Sequence, residues 1–206
     1  MKRSIIGTCV VLLSTLSPAY ADDGLYENIT DPNSSFVRII APGQTVASIN
    51  GNTLRDLDDG ISDYVNVVPG DVDIILPHVT VDLNVGASTY NTVVFDDAGE
   101  PTIFNDEITN SPAKADITIY NLSSAESIDL FVPAANAVAI AETTSSQSQT
   151  VSVRAPLTLD FEVHADGEVL AQVSQVSLVR QGGVSIVLQD GEDGFTAFST
   201  ANTFIN

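Results

Sequence analysis

Two stretches decide the fold: Ser34-Ser35-Phe36-Val37-Arg38-Ile39-Ile40 and its echo, Lys114-Ala115-Asp116-Ile117-Thr118-Ile119-Tyr120-Asn121. In each, apolar residues fall at alternate positions. In an extended chain Phe36, Arg38 and Ile40 share one face, and Val37 and Ile39 the other. In the echo, Ile117 and Ile119 lie opposite Asp116, Thr118 and Tyr120. Successive side chains of a strand point to opposite sides of a sheet, so this alternation predicts a half-buried strand at both places. Each stretch opens a module of about ninety residues, an ordinary size for a small domain. Two such openings predict two β domains in tandem.

Outward from the first stretch, the chain is a series of short alternating runs divided by turn residues. Asn50-Gly51, Asp58-Asp59-Gly60, Pro69-Gly70, Gly86-Ala87-Ser88 and Asp96 to Pro101 punctuate the first module. Asn-Gly takes positive φ readily and is a strong hairpin signal. His78 to Val85 alternates, with Val79, Val81, Leu83 and Val85 on one face. Glu107 to Ala113 is a polar crossing. Past the second opening, Ala134 to Glu142 is rich in alanine, but its Val and Ile content favours strand or loop over helix. Thr143 to Thr150 reads as a Ser/Thr/Gln loop. Ala165-Asp166-Gly167 is a hairpin turn, Glu168 to Leu178 a return strand bent around Ser174, and Asp190 to Gly194 a tight acidic turn.

No stretch keeps a 3.6-residue period, so the predicted class is all-β: two tandem β-sandwich, Ig-like domains. The modules also match in pattern. Tyr64 to Gly70 corresponds to Thr150 to Pro156. Val81 to Gly86 with Thr92 to Phe95 corresponds to Val176 to Gly182 with Ser185 to Leu188. The expected division is a leader over 1–21, a sandwich over 22–109 and a second over 110–206.

The leader reading rests on Lys2 and Arg3, an apolar run from Ile5 to Leu16, and Ala19-Tyr20-Ala21 before Asp22: a charged start, a short apolar core and a small-x-small cleavage site. A spanning helix needs about 20 apolar residues, more than this run has. Cleavage would remove Cys9, the only cysteine, so the exported chain would carry no disulfide and rely on its packed core. It would keep Arg38, Arg55, Lys114, Arg154 and Arg180 against all 27 acidic residues. So acidic a surface repels nucleic acid and anionic lipid, and repels polyanionic polysaccharide unless a cation bridges them. It is either a solubility device or a match to a basic partner protein.

Residues that carry chemistry are few. The histidines, His78 and His164, have no metal-ligand spacing and sit at strand ends, as solvated or singly bonded side chains do. No Gly-x-Ser-x-Gly elbow occurs; Gly60-Ile61-Ser62-Asp63 lacks the second glycine. The acidic clusters Asp56 to Gly60, Asp96 to Glu100 and Asp190 to Gly194 miss the oxygen spacing of a calcium loop and read as acidic turns. Tryptophan is absent, and no glycine-rich phosphate loop or aromatic platform is visible. Sequons at Asn28, Asn33 and Asn121 matter only in a glycosylating host. The expected catalytic, cofactor-binding and metal residues are therefore none.

One resemblance spans nearly the whole chain. Leu25-Tyr26 followed by Ser35-Phe36-Val37-Arg38-Ile39, then Gly60-Ile61-Ser62-Asp63-Tyr64, Val68-Pro69-Gly70, Tyr90-x-Thr92-Val93-Val94 and Ile119-Tyr120-Asn121-Leu122-Ser123, resemble the AlgF family of alginate biosynthesis proteins. The first module also resembles a broad family of secreted β-sandwich domains with the pattern Val-Arg, Asn-Gly, Tyr, Val-Pro-Gly. The chain departs from typical AlgF proteins in its acidity and its few lysines. The AlgF resemblance implies a periplasmic protein of alginate O-acetylation that is not an enzyme and has no cofactor. It implies an adaptor between a membrane O-acyltransferase that exports acetyl groups and periplasmic polysaccharide O-acetyltransferases. No nucleic acid, no membrane insertion after cleavage and little or no direct polymer binding are expected. The competing expectations are a stand-alone secreted or cell-surface binding module, and a covalent acetyl carrier using one of the serines.

Overall fold

A computed structural model describes residues 33–205, apart from Asp56, Asp58 and Asp97. The expected leader over 1–21 and the polar stretch Asp22–Pro32 lie outside the described residues. The chain is all-β. Strands β1 (Ser35–Ile40), β2 (Val46–Ile49), β3 (Asn52–Arg55), β4 (Tyr64–Val67), β5 (Gly70–Leu76), β6 (Val79–Val85), β7 (Tyr90–Phe95) and β8 (Pro101–Asn105) precede the polar crossing. Strands β9 (Lys114–Leu122), β10 (Ser127–Val132), β11 (Ala137–Thr144), β12 (Gln147–Arg154), β13 (Leu157–Ala165), β14 (Glu168–Leu178), β15 (Gly183–Gly191), β16 (Gly194–Ala201) and β17 (Phe204–Ile205) follow it. Among the described residues no helix is long and apolar enough to cross a membrane.

The four sheets fall into two matched pairs. In the first pair, β17-β4-β1-β7-β8 faces β3-β2-β5-β6; in the second, β12-β9-β15-β16 faces β11-β10-β13-β14. Without β17, the orders agree strand for strand, and β1–β7 and β9–β15 are both parallel pairs among antiparallel neighbours. The duplication visible in the sequence is thus a duplicated topology. The corresponding stretches lie on β4 and β12, and on β6–β7 and β14–β15. The last strand departs from the symmetry. Phe204 and Ile205 return to the first sandwich and run parallel to β4. The described residues, 33–205, lie within one compact unit.

Each sandwich closes its own core. Val37, Ile39, Val65, Val72, Ile74 and Val93 belong to the first; Ile117, Ile119, Leu130, Phe161, Val163 and Ile186 to the second. A third cluster joins them: Ile40, Ile61, Val94 and Phe104 from the first sandwich meet Tyr120 and Val187 from the second. The sheets containing β1 and β9 are therefore covered on both faces. This corrects the expectation of half-buried strands. β1 is buried at every position except half-buried Phe36, and β9 from Ala115 to Asn121. The more polar face of the alternation points into the joint between sandwiches instead of into solvent.

Turn chemistry follows the sequence at the expected places. Asn50 and Gly51 take φ of 48° and 82°, and Asp166 and Gly167 take 51° and 81°, which closes both hairpins in two residues. The bend expected near Ser174 is a bulge with Gln175 at φ 58°. The Ser/Thr/Gln stretch is not a loop. Ser145 and Ser146 alone turn the chain, and Gln147 to Thr150 pair in register with Thr118 to Asn121. Hydroxyl side chains suit a strand edge as well as a loop, so composition alone misread it.

Candidate functional site

The sequence singled out no site residue. The structure gathers its most unusual chemistry around one that the sequence treated only as part of a strand. Arg38, on β1, is 1% exposed. Its Nε donates to Thr92 Oγ1 at 2.8 Å and its Nη1 to Asn202 Oδ1 at 3.0 Å. Its Nη2 donates to the Tyr120 hydroxyl at 2.8 Å and to Ser185 Oγ at 2.6 Å. The guanidinium carbon also lies 4.4 Å from the Tyr64 ring centre and 5.4 Å from that of Tyr120.

The counter-charge is one layer away. Asp106, on the crossing between the sandwiches, accepts from the Tyr64 hydroxyl at 2.8 Å and from Thr92 Oγ1 at 2.5 Å. Tyr120 donates a short bond to its other oxygen. Thr92 and Tyr120 thus each accept from the guanidinium and donate to the carboxylate. Ser185 Oγ in turn donates to Asn202 Oδ1 at 2.9 Å. A charge leaves water at large cost unless it is paired and bonded; here both charges are saturated through shared hydroxyls.

Neighbouring strands explain the convergence. Arg38 lies opposite Thr92 in the parallel pair β1–β7, and Thr118 opposite Ser185 in the equivalent pair β9–β15. The central strands of both inner sheets therefore aim polar side chains at one another. Burial pulls the Arg38 pKa down, but Tyr120, Tyr64 and Asp106 outweigh it, and the net direction is up. Burial pushes Tyr64 well above the ordinary range and Tyr120 up to about 12, with Arg38 opposing in both. The guanidinium is held charged and the phenols neutral.

Two smaller anchors complete the joint. Buried Asp116 accepts from the Thr109 backbone N–H at 2.7 Å and from Ser152 Oγ at 2.5 Å, tying the crossing to β9 and β12. Four rings gather at one end of the inner sheet: Phe36 stacks on Tyr90 at 5.2 Å and Phe204 on Tyr64 at 5.1 Å, the two stacks meeting edge to face. This amends the expectation of no aromatic platform. The rings come from β1, β4, β7 and β17, too far apart in sequence to be read as a cluster, and they mainly cover one another.

The residues weighed in the sequence lie apart. His78 is exposed in a turn. His164 stacks on Phe131 and bonds Glu162 at 2.8 Å. Among the described residues no group of three acidic, His or Cys side chains is placed to hold a metal. Asp190 accepts from the Ser124 hydroxyl at 2.9 Å, and Asp96 from the Glu100 N–H at 2.8 Å, so both fix turns. Asp56, Asp58 and Asp97 of the acidic clusters lie outside the described residues. Asn121, of the third sequon, is fully buried, its amide donating to the carbonyls of Ala125 and Thr143. That nitrogen is closed to glycosylation.

The class defined is a duplicated β-sandwich protein whose two copies are joined through a buried polar network. Its family follows from comparison: the model of the family described as alginate O-acetyl transferase AlgF matches residues 8–186, and the chain belongs to that family. The protein is thereby placed in alginate O-acetylation. No curated protein matches the chain.

Proposed function

We propose that the chain is a non-catalytic periplasmic adaptor of alginate O-acetylation. It holds a membrane acetyl exporter and periplasmic O-acetyltransferases close together, so that the acetyl donor reaches its acceptor at high effective concentration. The observation that carries this reading is the Arg38–Asp106 network. It joins β1, β4 and β7 of one sandwich to β9 and β15 of the other and to the C-terminal segment through Asn202. A spacer works best when stiff, because flexibility dilutes effective concentration. Such a joint makes two sandwiches into one stiff body, and its groups are spent on holding it. The acidic surface supports a role beside the polyanionic polymer rather than along it.

The test is genetic and chemical. Deleting the gene in an alginate-producing host and measuring O-acetyl groups per uronate should show a fall to near zero, restored by the wild-type gene. The purified protein, given an acyl donor, should show neither turnover nor a mass gain of one acetyl group. Acetylation unchanged by deletion would sink the adaptor reading, and a stable acetyl adduct would replace it with that of a covalent carrier.

A further inference from the structure

The outer face of the sheet β11-β10-β13-β14 is open, since its four strands bury alternate residues inward and leave the others to solvent. An apolar stripe crosses all four strands on that side. Val138 of β11 lies opposite Phe131 of β10. The Phe131 ring stacks on His164 of β13, centroids 4.8 Å apart and planes at 25°. His164 lies opposite Val169 of β14. Val138 and Val169 are each 48% exposed.

The charge around the stripe has one sign. The four strands carry Asp129, Glu142, Asp160 and Glu162, with Glu168 opposite core-facing Ala165 on the other side, and no lysine or arginine. Three of these carboxylates are held in place. Asp129 accepts from the Glu142 N–H at 2.8 Å, Asp160 from the Gln175 N–H at 2.7 Å, and Glu162, opposite Phe131, bonds His164. Fixed charges lose little entropy on meeting a partner. An aromatic, apolar centre inside a polar rim has the anatomy of a protein interface. The outer sheet of the first sandwich differs. There Asp73 stands opposite Asp82, Arg55 interrupts the acid, and exposed Ile75 has Ser48 and Thr80 on either side.

The geometry points to the Val138–Phe131–His164–Val169 face as a docking surface for a cationic protein partner, one presenting Lys and Arg side chains around an apolar centre. Charge complementarity selects that occupant: polyanions and anionic lipid are repelled by the same rim. This rests on the adaptor reading and names the face it uses.

The test uses the full-length protein in the alginate-acetylating host. A photo-cross-linking benzoylphenylalanine replaces Val138, with Thr80 on the opposite outer sheet as control. The expected result is a cross-link from position 138, and not 80, to one protein, through a peptide containing Lys or Arg. In extracts that cross-link should fade as salt rises to about 0.5 M, where screening is strong. The triple variant Asp129→Asn, Asp160→Asn, Glu162→Gln keeps shape and hydrogen-bond acceptors while removing three charges. It should cut the cross-link and polymer acetylation about tenfold, a loss of roughly 1.4 kcal/mol of coupling, with its melting temperature unchanged. Val169→Lys, which puts a cation at one end of the stripe, should do the same. A normal cross-link and normal acetylation in both variants would overturn the docking face, as would a cross-link to polysaccharide, to a peptide without cations, or none at all. In those cases a deletion strain that still loses acetylation leaves the adaptor reading standing. A deletion strain that acetylates normally removes both.

Discussion

The first strand of each sandwich holds the same place in the same topology, and the two differ in what they bring to the joint. β1 lies between β4 and parallel β7; β9 lies between β12 and parallel β15. Val37 and Ile39 face one core as Ile117 and Ile119 face the other. On the opposite face, the register that aligns Arg38 with Thr92 aligns Thr118 with Ser185. One copy supplies a cation; the other supplies hydroxyls, with Thr118 bonded to Thr150 at 2.9 Å. Two first-sandwich faces would set Arg38 against Arg38, and two second-sandwich faces would meet without a cation. The joint therefore accepts unlike copies and rejects like ones, which is specificity by a misfit as well as by a fit.

Breaking that asymmetry at its source should have the largest effect. Arg38→Met leaves the Asp106 carboxylate without its counter-charge and four acceptors without their donor, and should cost about 3–5 kcal/mol, read by guanidinium denaturation. Tyr120→Phe removes the hydroxyl that links guanidinium to carboxylate and should cost about 1–3 kcal/mol in the same assay. High pH attacks the joint without a mutation. Tyr64 and Tyr120 both titrate above the ordinary tyrosine value of 10.0 in the folded protein, Tyr120 at about 12. Between those limits the unfolded chain binds fewer protons than the folded one, so stability is full below about pH 10 and falls above it. Each tyrosine contributes a slope of about 1.4 kcal/mol per pH unit. Tyr120→Phe should make that fall shallower. The smallest effect lies far from the joint. Thr143 Oγ1 is buried in the second sandwich without a hydrogen-bond partner, and Thr143→Val should raise stability by roughly 1 kcal/mol.

Much of the fold was legible because a period of two and Asn-Gly or Asp-Gly turns report local structure, and local structure repeats here. The strand starting at Tyr90, the Glu168–Leu178 return and the duplicated patterns on β4 and β12 were all readable. The joint was not. Arg38 and Tyr120 looked like the solvent face of half-buried strands, because alternation shows that two faces differ and not what each one meets. Asp106 sits in a polar crossing, and Asn202 lies 164 positions from the arginine it bonds. The one local signal was an arginine flanked by Val37 and Ile39 in an otherwise apolar strand, where a charge must be paired to persist.

Rigidity across the joint is the property on which the adaptor reading depends, and paired spin labels measure it. Cys9 is the only cysteine in the sequence, so with Cys9→Ser the labels can be placed uniquely at Thr80→Cys and Gln172→Cys, on the two outer sheets. The wild-type background should give one narrow inter-label distance, and Arg38→Met should broaden it. A broad or two-peaked distribution in the wild-type background would mean that the sandwiches move independently, and would contradict the account.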